Sequence, residues 1–323
     1  MRTISFRDLQ TQIQDHYHNQ RYRAAFDLAG RYLQTYPDQA ALLYYWQVCL
    51  LASLGEIENA VQLLEQTITQ GIWYAEFLLR QSPALQSLQE HPTFEQLVQM
   101  SQRYQALDET NRYPLLTVRP EGCCLPNDQP CSMLLALHEN ASNARLCLDY
   151  WRTVANAGWL VAAPQSTQGM WKGGYVWNDW DAARQEIIRD YQSALEYYSI
   201  DPERVVLAGV TTGGELAMRL ALSGDLPARG FLAISPEGSL FEEHDNLQSY
   251  LADMADRDLV GVILIGEREG SERRTILRKV TELILEAGGE CRLEVLPGTR
   301  NAADSASDDQ ILAILENIVE YSA

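Results

Sequence analysis

The C-terminal two-thirds of the sequence alternates short apolar runs with helical segments, and this alternation constrains the fold more than any other feature. The apolar runs have strand length and include SMLLALH, WLVAAP, RVVLAGV, GFLAIS and LVGVILIG. Segments with helical periodicity, such as WDAARQEIIRDYQSALEYY, separate them. Continuous apolar strands joined by helices are typical of parallel strands buried on both faces. The pattern predicts an open α/β sheet whose ligands bind at the carboxyl ends of the strands.

The first third of the sequence has a helical period instead. The segments YRAAFDLAGRYLQTYP and IENAVQLLEQTITQGI superimpose when one is shifted by 35 residues, which places Ala25 on Ala60. A period of this length, with a small residue where two helices cross, predicts tetratricopeptide-like (TPR-like) hairpins. Because only about two repeats are visible, a generic helical bundle remains an alternative. We therefore predict a TPR-like helical domain over residues 1–106 and a sheet domain over 107–323.

Composition and charge exclude several classes of function. The formal net charge is −19, and an acidic surface repels phosphate backbones, so we expect no nucleic acid partner. No apolar run is long enough to span a membrane, and the N-terminus lacks the apolar core of a signal peptide. These features predict a cytoplasmic protein with no membrane association.

The cysteines predict neither a disulfide framework nor a metal site. Six cysteines in a chain of 323 residues are typical of free thiols. Cys123, Cys124 and Cys131 have no histidine at ligand spacing, and no histidine–carboxylate cluster occurs elsewhere. We expect no metal and no cofactor.

Three motifs of the sheet half occur in an order known from one superfamily. They are LALHENASNA, then WLVAAPQSTQ with GYVWND, then DPERVVLAGVTTGGELAMRLAL. From about Leu115 to the C-terminus the chain resembles the α/β-hydrolase superfamily, most closely its phospholipase/carboxylesterase branch of small serine esterases. The resemblance implies an α/β-hydrolase fold, with a nucleophile elbow in the third motif and an oxyanion loop in the first.

The positions that the resemblance implies for a catalytic triad hold unusual residues. Thr211 stands where the family has its serine, and a β-branched residue is a poor occupant of an elbow that requires positive φ. Glu269 stands where an aspartate is usual, and Asn301 stands where the family has its histidine. No histidine follows His244, and a neutral amide cannot accept the hydroxyl proton. The sequence therefore predicts a degraded triad.

The oxyanion loop that the resemblance implies is altered as well. His138 is retained, but Glu139 replaces a glycine, and Thr212 follows the nucleophile position. A carboxylate near a developing oxyanion opposes transition-state stabilisation unless it points away. Trp177, in the loop WKGGYVWNDW, is a candidate ligand-binding residue at the pocket mouth; the alternative is that this aromatic loop covers the edge of the sheet.

Two hypotheses follow from these positions. In the first, the protein is non-catalytic, and it binds a protein partner through its helical repeats or a small molecule in the former active-site cleft. In the second, it is an ester hydrolase of unusual mechanism that uses Thr211 as nucleophile with a base such as His138. The missing triad histidine favours the first.

Overall fold

The computed structural model of the protein describes residues 4–110, 113–241, 244–251, 254 and 257–321. The chain forms two compact units. The helical unit comprises Met1–Arg112 and Gly169–Tyr175, and the sheet unit comprises Tyr113–Gln168 and Val176–Ala323.

The helical unit contains six α-helices in the described part of its first segment. The Ser5 hydroxyl caps the first of them by accepting a hydrogen bond from the Asp8 N–H at 3.1 Å. Ala25 and Ala60, which the repeat superimposes, are both fully buried. The helices are α1 (Phe6–His18), α2 (Tyr22–Tyr32), α3 (Ala40–Ser53), α4 (Ile57–Thr69), α5 (Glu76–Gln81) and α6 (Phe94–Thr110).

The sheet unit contains a seven-stranded sheet with the order β1-β3-β2-β6-β7-β8-β9, in which β1 is antiparallel to β3 and the other pairs are parallel. The predicted fold class, an α/β-hydrolase fold after a helical domain, is confirmed. The strands of this sheet are β1 (Leu115–Val118), β2 (Cys131–Leu137), β3 (Leu160–Pro164), β6 (Ile200–Val210), β7 (Gly230–Ile234), β8 (Val260–Gly266) and β9 (Glu290–Leu296). Two further strands, β4 (Gln168–Trp171) and β5 (Gly174–Val176), form a separate two-stranded sheet. The helices are α7 (Ala144–Tyr150), α8 (Arg152–Asn156), α9 (Trp180–Tyr197), α10 (Thr212–Ser223), α11 (His244–Leu251), α12 (Ser271–Glu286) and α13 (Asp308–Glu320).

Helices cover both faces of this sheet, which is why its strands are apolar without interruption. Successive side chains of a strand point to opposite faces. Leu135 of β2 accordingly packs in a core with α9, α10 and α12, whereas Leu134 packs in a second core with α7, α8 and α13.

A hairpin that is remote in sequence belongs to the helical unit. It is formed by β4 and β5, and the predicted boundary at residue 106 does not anticipate it. The Ala75 N–H donates a hydrogen bond to the Met170 carbonyl at 2.7 Å, and the Lys172 N–H donates to the Trp73 carbonyl at 3.0 Å. The Trp171 ring also stacks on Tyr45, with ring centroids 6.4 Å apart. These contacts make the helical unit discontinuous in sequence.

One pair of cysteines corrects the expectation of free thiols. Cys124 and Cys131 form a disulfide with a Cα–Cα distance of 5.4 Å, whereas Cys49, Cys123, Cys147 and Cys291 are free. Ser199 brings the two backbones together: its N–H donates to the Cys124 carbonyl at 2.9 Å, and its carbonyl accepts from the Cys131 N–H at 3.1 Å. The expectation of free thiols is wrong for this pair. The spacing of the cysteines in the sequence does not reveal that Ser199, from a distant segment, bonds to both of them.

Among the helices of the described ranges, none combines the length and the apolar character needed to cross a membrane.

The helical unit contains a buried polar contact that can be tested by mutation. Ser101 of α6 is fully buried, and its hydroxyl both accepts from the Tyr74 N–H at 2.7 Å and donates to the Tyr74 carbonyl at 2.8 Å. Alanine at this position leaves two buried backbone groups without partners.

We expect Ser101→Ala to lower the free energy of unfolding by about 1–3 kcal/mol, because both the hydrogen bonds and the solvation of these groups are lost. Urea denaturation followed by circular dichroism measures the change. Thr11→Ala, at an exposed position of α1, is the matched control and should change stability by less than about 0.5 kcal/mol. Equal effects of the two substitutions would contradict this account.

Candidate active site

The sheet register brings the candidate residues to one edge of the sheet. Val210 at the end of β6 pairs with Ile234 at the end of β7, and Ile234 pairs with Leu264 of β8. The segments that follow these parallel strands therefore leave the sheet at the same edge. The predicted site residues lie on such segments: His138 and Glu139 after β2, Thr211 and Thr212 after β6, Glu269 after β8, and Asn301 after β9.

The turn at Thr211 has the strained backbone of a nucleophile elbow. Its φ is 49° and its ψ is −117°, a region that costs a non-glycine residue about 1–3 kcal/mol. The turn is held by a hydrogen bond from the Thr211 N–H to the Ile234 carbonyl at 2.9 Å. A Cβ on Gly213 would lie 2.1 Å from the Leu137 carbonyl oxygen, so glycine is required there for close packing. The elbow persists although threonine occupies it.

The Thr211 hydroxyl is directed toward a carboxylate. It donates a hydrogen bond to Glu139 Oε2 at 3.1 Å. The Glu139 side chain therefore points toward the nucleophile position, the orientation in which its charge opposes a developing oxyanion.

The loop after β2 makes a second contact with the start of α10. The Asn140 N–H donates to the Thr212 hydroxyl oxygen at 2.7 Å. In α/β hydrolases the oxyanion is bound by the N–H of the residue after the nucleophile together with an N–H from a strand–helix loop. Here Thr212 is the residue after the predicted nucleophile, and its hydroxyl oxygen accepts a hydrogen bond from the loop after β2. Asn140 was missed in the sequence, since its role depends on its backbone and not on its side-chain type.

His138 is enclosed in the same loop and is uncharged at neutral pH. Its Nδ1 donates to the Glu139 carbonyl at 2.9 Å, and its Nε2 accepts from the Ser166 N–H at 3.3 Å. Burial lowers the pKa of the ring to about 4, although the hydrogen bond to the Glu139 carbonyl opposes this effect. Because both ring nitrogens are engaged with the backbone, the geometry does not favour His138 as the base for Thr211.

Trp177 contacts the loop after β2. Its side chain is buried, its Nε1–H donates to the His138 carbonyl at 2.9 Å, and its ring lies 4.6 Å from the imidazole centroid. The Trp177 N–H also donates to Asn140 Oδ1 at 3.1 Å. The indole thus packs against the loop, and these contacts favour a covering role over ligand binding.

Glu269, which the sequence predicts at the acid position, makes structural contacts. Its side chain is 4% exposed, and Oε1 accepts from the Gly266 N–H at 2.7 Å, the Ala302 N–H at 2.8 Å and the Ser235 hydroxyl at 2.7 Å. Three donors on one oxygen fix the carboxylate between the segments after β7, β8 and β9. Ser235 was missed in the sequence, although a polar residue ending the apolar run GFLAIS is a visible signal.

Asn301, which the sequence predicts at the base position, caps a short helix. Its Oδ1 accepts from the Ala303 N–H at 2.8 Å and thereby caps a 3₁₀ turn over Ala302–Asp304. The Ser235 hydroxyl lies 3.4 Å from the same oxygen. The amide therefore has a local structural partner, and it has no basic nitrogen to offer the Thr211 hydroxyl.

Glu269 lines an open cavity of about 370 Å³. Arg273 of α12 lies on its wall, forms an ion pair with Glu237 and places Nη1 3.6 Å from Glu269 Oε2. The cavity also borders apolar side chains, so it offers both polar and apolar contacts. Its lining includes Pro236, Glu237, Gly238, Phe241, Glu269 and Arg273. Within the described ranges, no group of three or more His, Cys, Asp or Glu side chains has a geometry that could hold a metal ion.

The burial of His138 predicts a pH dependence of stability. The unfolded ring binds a proton below its ordinary pKa of 6.5, whereas the folded ring binds one only below about 4. The unfolded state thus holds more protons in this window, and stability is lost as the pH falls through it. Between about pH 7.5 and about pH 4.5, we expect wild type to lose about 2–3 kcal/mol more than His138→Asn, which retains an acceptor for Ser166. Guanidinium titrations at both pH values provide the measurement, and parallel losses would contradict the prediction.

Comparisons with known proteins agree with this architecture. The family model described as A/B hydrolase-like, N-terminal domain matches residues 6–108. No curated protein matches the chain. An uncharacterized protein from Bacillus cereus ATCC 10987 is similar over 98% of this chain and 99% of its own, with 19% identity and a TM-score of 0.53.

Two similar structures are of named hydrolases. The fluorophosphonate-binding serine hydrolase F of Staphylococcus aureus aligns over 64% of this chain and 92% of its own, with 12% identity and a TM-score of 0.48. Esterase 2 of Thermogutta terrifontis aligns over 64% and 85%, with 16% identity and a TM-score of 0.46.

The mostly parallel sheet and the elbow after β6 give the sheet unit an α/β-hydrolase fold, and the helical unit matches the A/B hydrolase-like N-terminal domain model over residues 6–108.

Proposed function

We propose that this α/β-hydrolase-fold protein is non-catalytic and that its former active-site cleft binds a ligand. The observation that carries the proposal is the position of Asn301, whose side chain caps a helix where the superfamily has its histidine. A serine-type mechanism needs a base that accepts the hydroxyl proton and returns it to the leaving group, and an amide does neither. Removal of one triad member costs about 10⁴–10⁶ in rate in enzymes of this kind.

The contacts of the oxyanion loop support the same conclusion. The Glu139 carboxylate accepts a hydrogen bond from the Thr211 hydroxyl, and the Asn140 N–H donates a hydrogen bond to the Thr212 hydroxyl oxygen. The oxyanion of a tetrahedral intermediate would therefore form beside the negatively charged Glu139 carboxylate. It would also compete with the Thr212 hydroxyl for the Asn140 N–H.

The cavity beside Glu269 is the part of the cleft that we propose as the ligand site. The ion-paired Arg273 and Glu237 supply polar groups and Phe241 an apolar surface, a combination suited to a small molecule with a polar and an apolar part. We further propose that the helical unit, with its TPR-like repeats, binds a protein partner, and that the protein is cytoplasmic.

One contact favours a second candidate function, an ester hydrolase that uses Thr211 as nucleophile. The 3.1 Å hydrogen bond from Thr211 to Glu139 places a carboxylate where a general base would stand. Glu139, and not His138, is then the candidate base.

The first prediction compares wild type with Thr211→Ala and Glu139→Gln on activated aryl acetates. We expect rates at the background level for all three proteins and no fluorophosphonate labelling of wild type, because the hydroxyl has no functional triad. Thr275→Ala, at an exposed position of α12, is the matched control. Wild-type turnover that disappears in both Thr211→Ala and Glu139→Gln would overturn the proposal and establish the second candidate.

The second prediction concerns restoration of the site. Thr211→Ser alone should stay at background, because the residues of a triad act as a unit and their effects are not additive. The triple variant Thr211→Ser, Glu139→Gly, Asn301→His should exceed it by about tenfold or more, since nucleophile, base and oxyanion loop are restored together. Thermal melting establishes that each variant is folded. Activity of Thr211→Ser alone would show that a base is already present.

A further inference from the structure

We propose that Cys123, Cys124 and Cys131 form a thiol–disulfide exchange site, at which Cys123 transfers electrons between a small-molecule thiol and the buried Cys124–Cys131 disulfide. This proposal is independent of the proposed function of the cleft. The three cysteines lie in the segment that ends at the start of β2.

The three cysteines differ in exposure to solvent, as an exchange site requires: one sulfur must be accessible and must lie beside the buried disulfide. Cys124 is fully buried and Cys131 is 6% exposed, so a thiol in solution has little access to the disulfide. Cys123 is free and only partly buried, and its Sγ lies 3.8 Å from Cys124 Sγ. The neighbouring residues 121–122 and 125–127 are exposed, so solvent surrounds the segment that carries Cys123. The reachable sulfur is thus adjacent to the protected one.

The backbone around the disulfide is held by contacts that do not need the S–S bond. Ser199 bonds through its N–H to Cys124 and through its carbonyl to Cys131. Arg119 adds a hydrogen bond from Nη1 to the Cys123 carbonyl at 2.7 Å. These contacts keep the three cysteines together when the disulfide is open, so the exchange can run in both directions.

The exchange proceeds in two steps that balance. The Cys123 thiolate attacks Cys124 Sγ, the bond between Cys124 and Cys131 breaks, and Cys131 leaves as a thiolate that takes a proton from water. An external thiolate then attacks the accessible Cys123 Sγ, and Cys124 leaves with the electron pair and is protonated. The products are a mixed disulfide on Cys123 and two protein thiols. A second external thiol releases Cys123 as a thiol and forms the small-molecule disulfide.

The test measures how fast reduced glutathione opens the disulfide in the native protein. Samples are alkylated at intervals, and peptide mass spectrometry follows the appearance of the Cys131 thiol. We expect reduction of Cys123→Ser to be slower than that of wild type by about tenfold or more, because the accessible sulfur is absent. Cys147→Ser removes a buried free thiol of α7 and is the matched control, expected to react at the wild-type rate.

Two further measurements make the result specific. In denaturant, wild type and Cys123→Ser should be reduced at equal rates, since burial no longer protects the disulfide. In the native wild type, the first glutathione adduct should map to Cys123. The proposal is overturned by equal native rates, by a first adduct on Cys124 or Cys131, or by the absence of the Cys124–Cys131 disulfide from the oxidised protein.

Discussion

The contact between β6, α10 and the end of β2 is the constraint on which the site depends. At Gly213 a side chain would collide with the Leu137 carbonyl, and at Gly209 it would lie 2.2 Å from the Gly213 carbonyl carbon. Backbone packing of this kind fixes the turn between strand and helix whatever residue occupies its apex. The elbow is therefore a property of the glycines and the strand register, and Thr211 adopts the strained conformation although it is not a glycine.

The side chains at the predicted acid and base positions make local structural contacts. Glu269 accepts three hydrogen bonds and Asn301 caps a helix, so each residue stabilises the segment that carries it. In a working triad such groups are oriented toward a histidine, and their local bonding is limited by that role. In this protein the bonds of both side chains join the segments at the ends of β7, β8 and β9.

Much of the fold could be predicted from the sequence, because uninterrupted apolar runs have few solutions other than strands covered on both faces. The edge at which Thr211, Glu269 and Asn301 lie follows from the same topology. The bonding at that edge could not be predicted. The direction of Glu139 depends on a rotamer, the contact of Asn140 with Thr212 depends on a backbone N–H, and the disulfide depends on a segment about seventy residues away. Such features arise from tertiary packing, which local patterns do not encode.

The hairpin of β4 and β5 has a consequence for how the chain can be divided. Since the chain leaves the sheet unit after Gln168 and re-enters it at Val176, a cut near residue 112 does not separate the two units. A fragment that begins at Tyr113 would carry Trp171 and Tyr175 without the aromatic neighbours that bury them, Tyr45 and Trp73. A fragment that ends at Arg112 would leave the Ala75 N–H and the Trp73 carbonyl without their hairpin partners. A cut near residue 112 therefore leaves the helical unit incomplete, and it leaves the sheet unit carrying the segment Gly169–Tyr175 without that segment's partners.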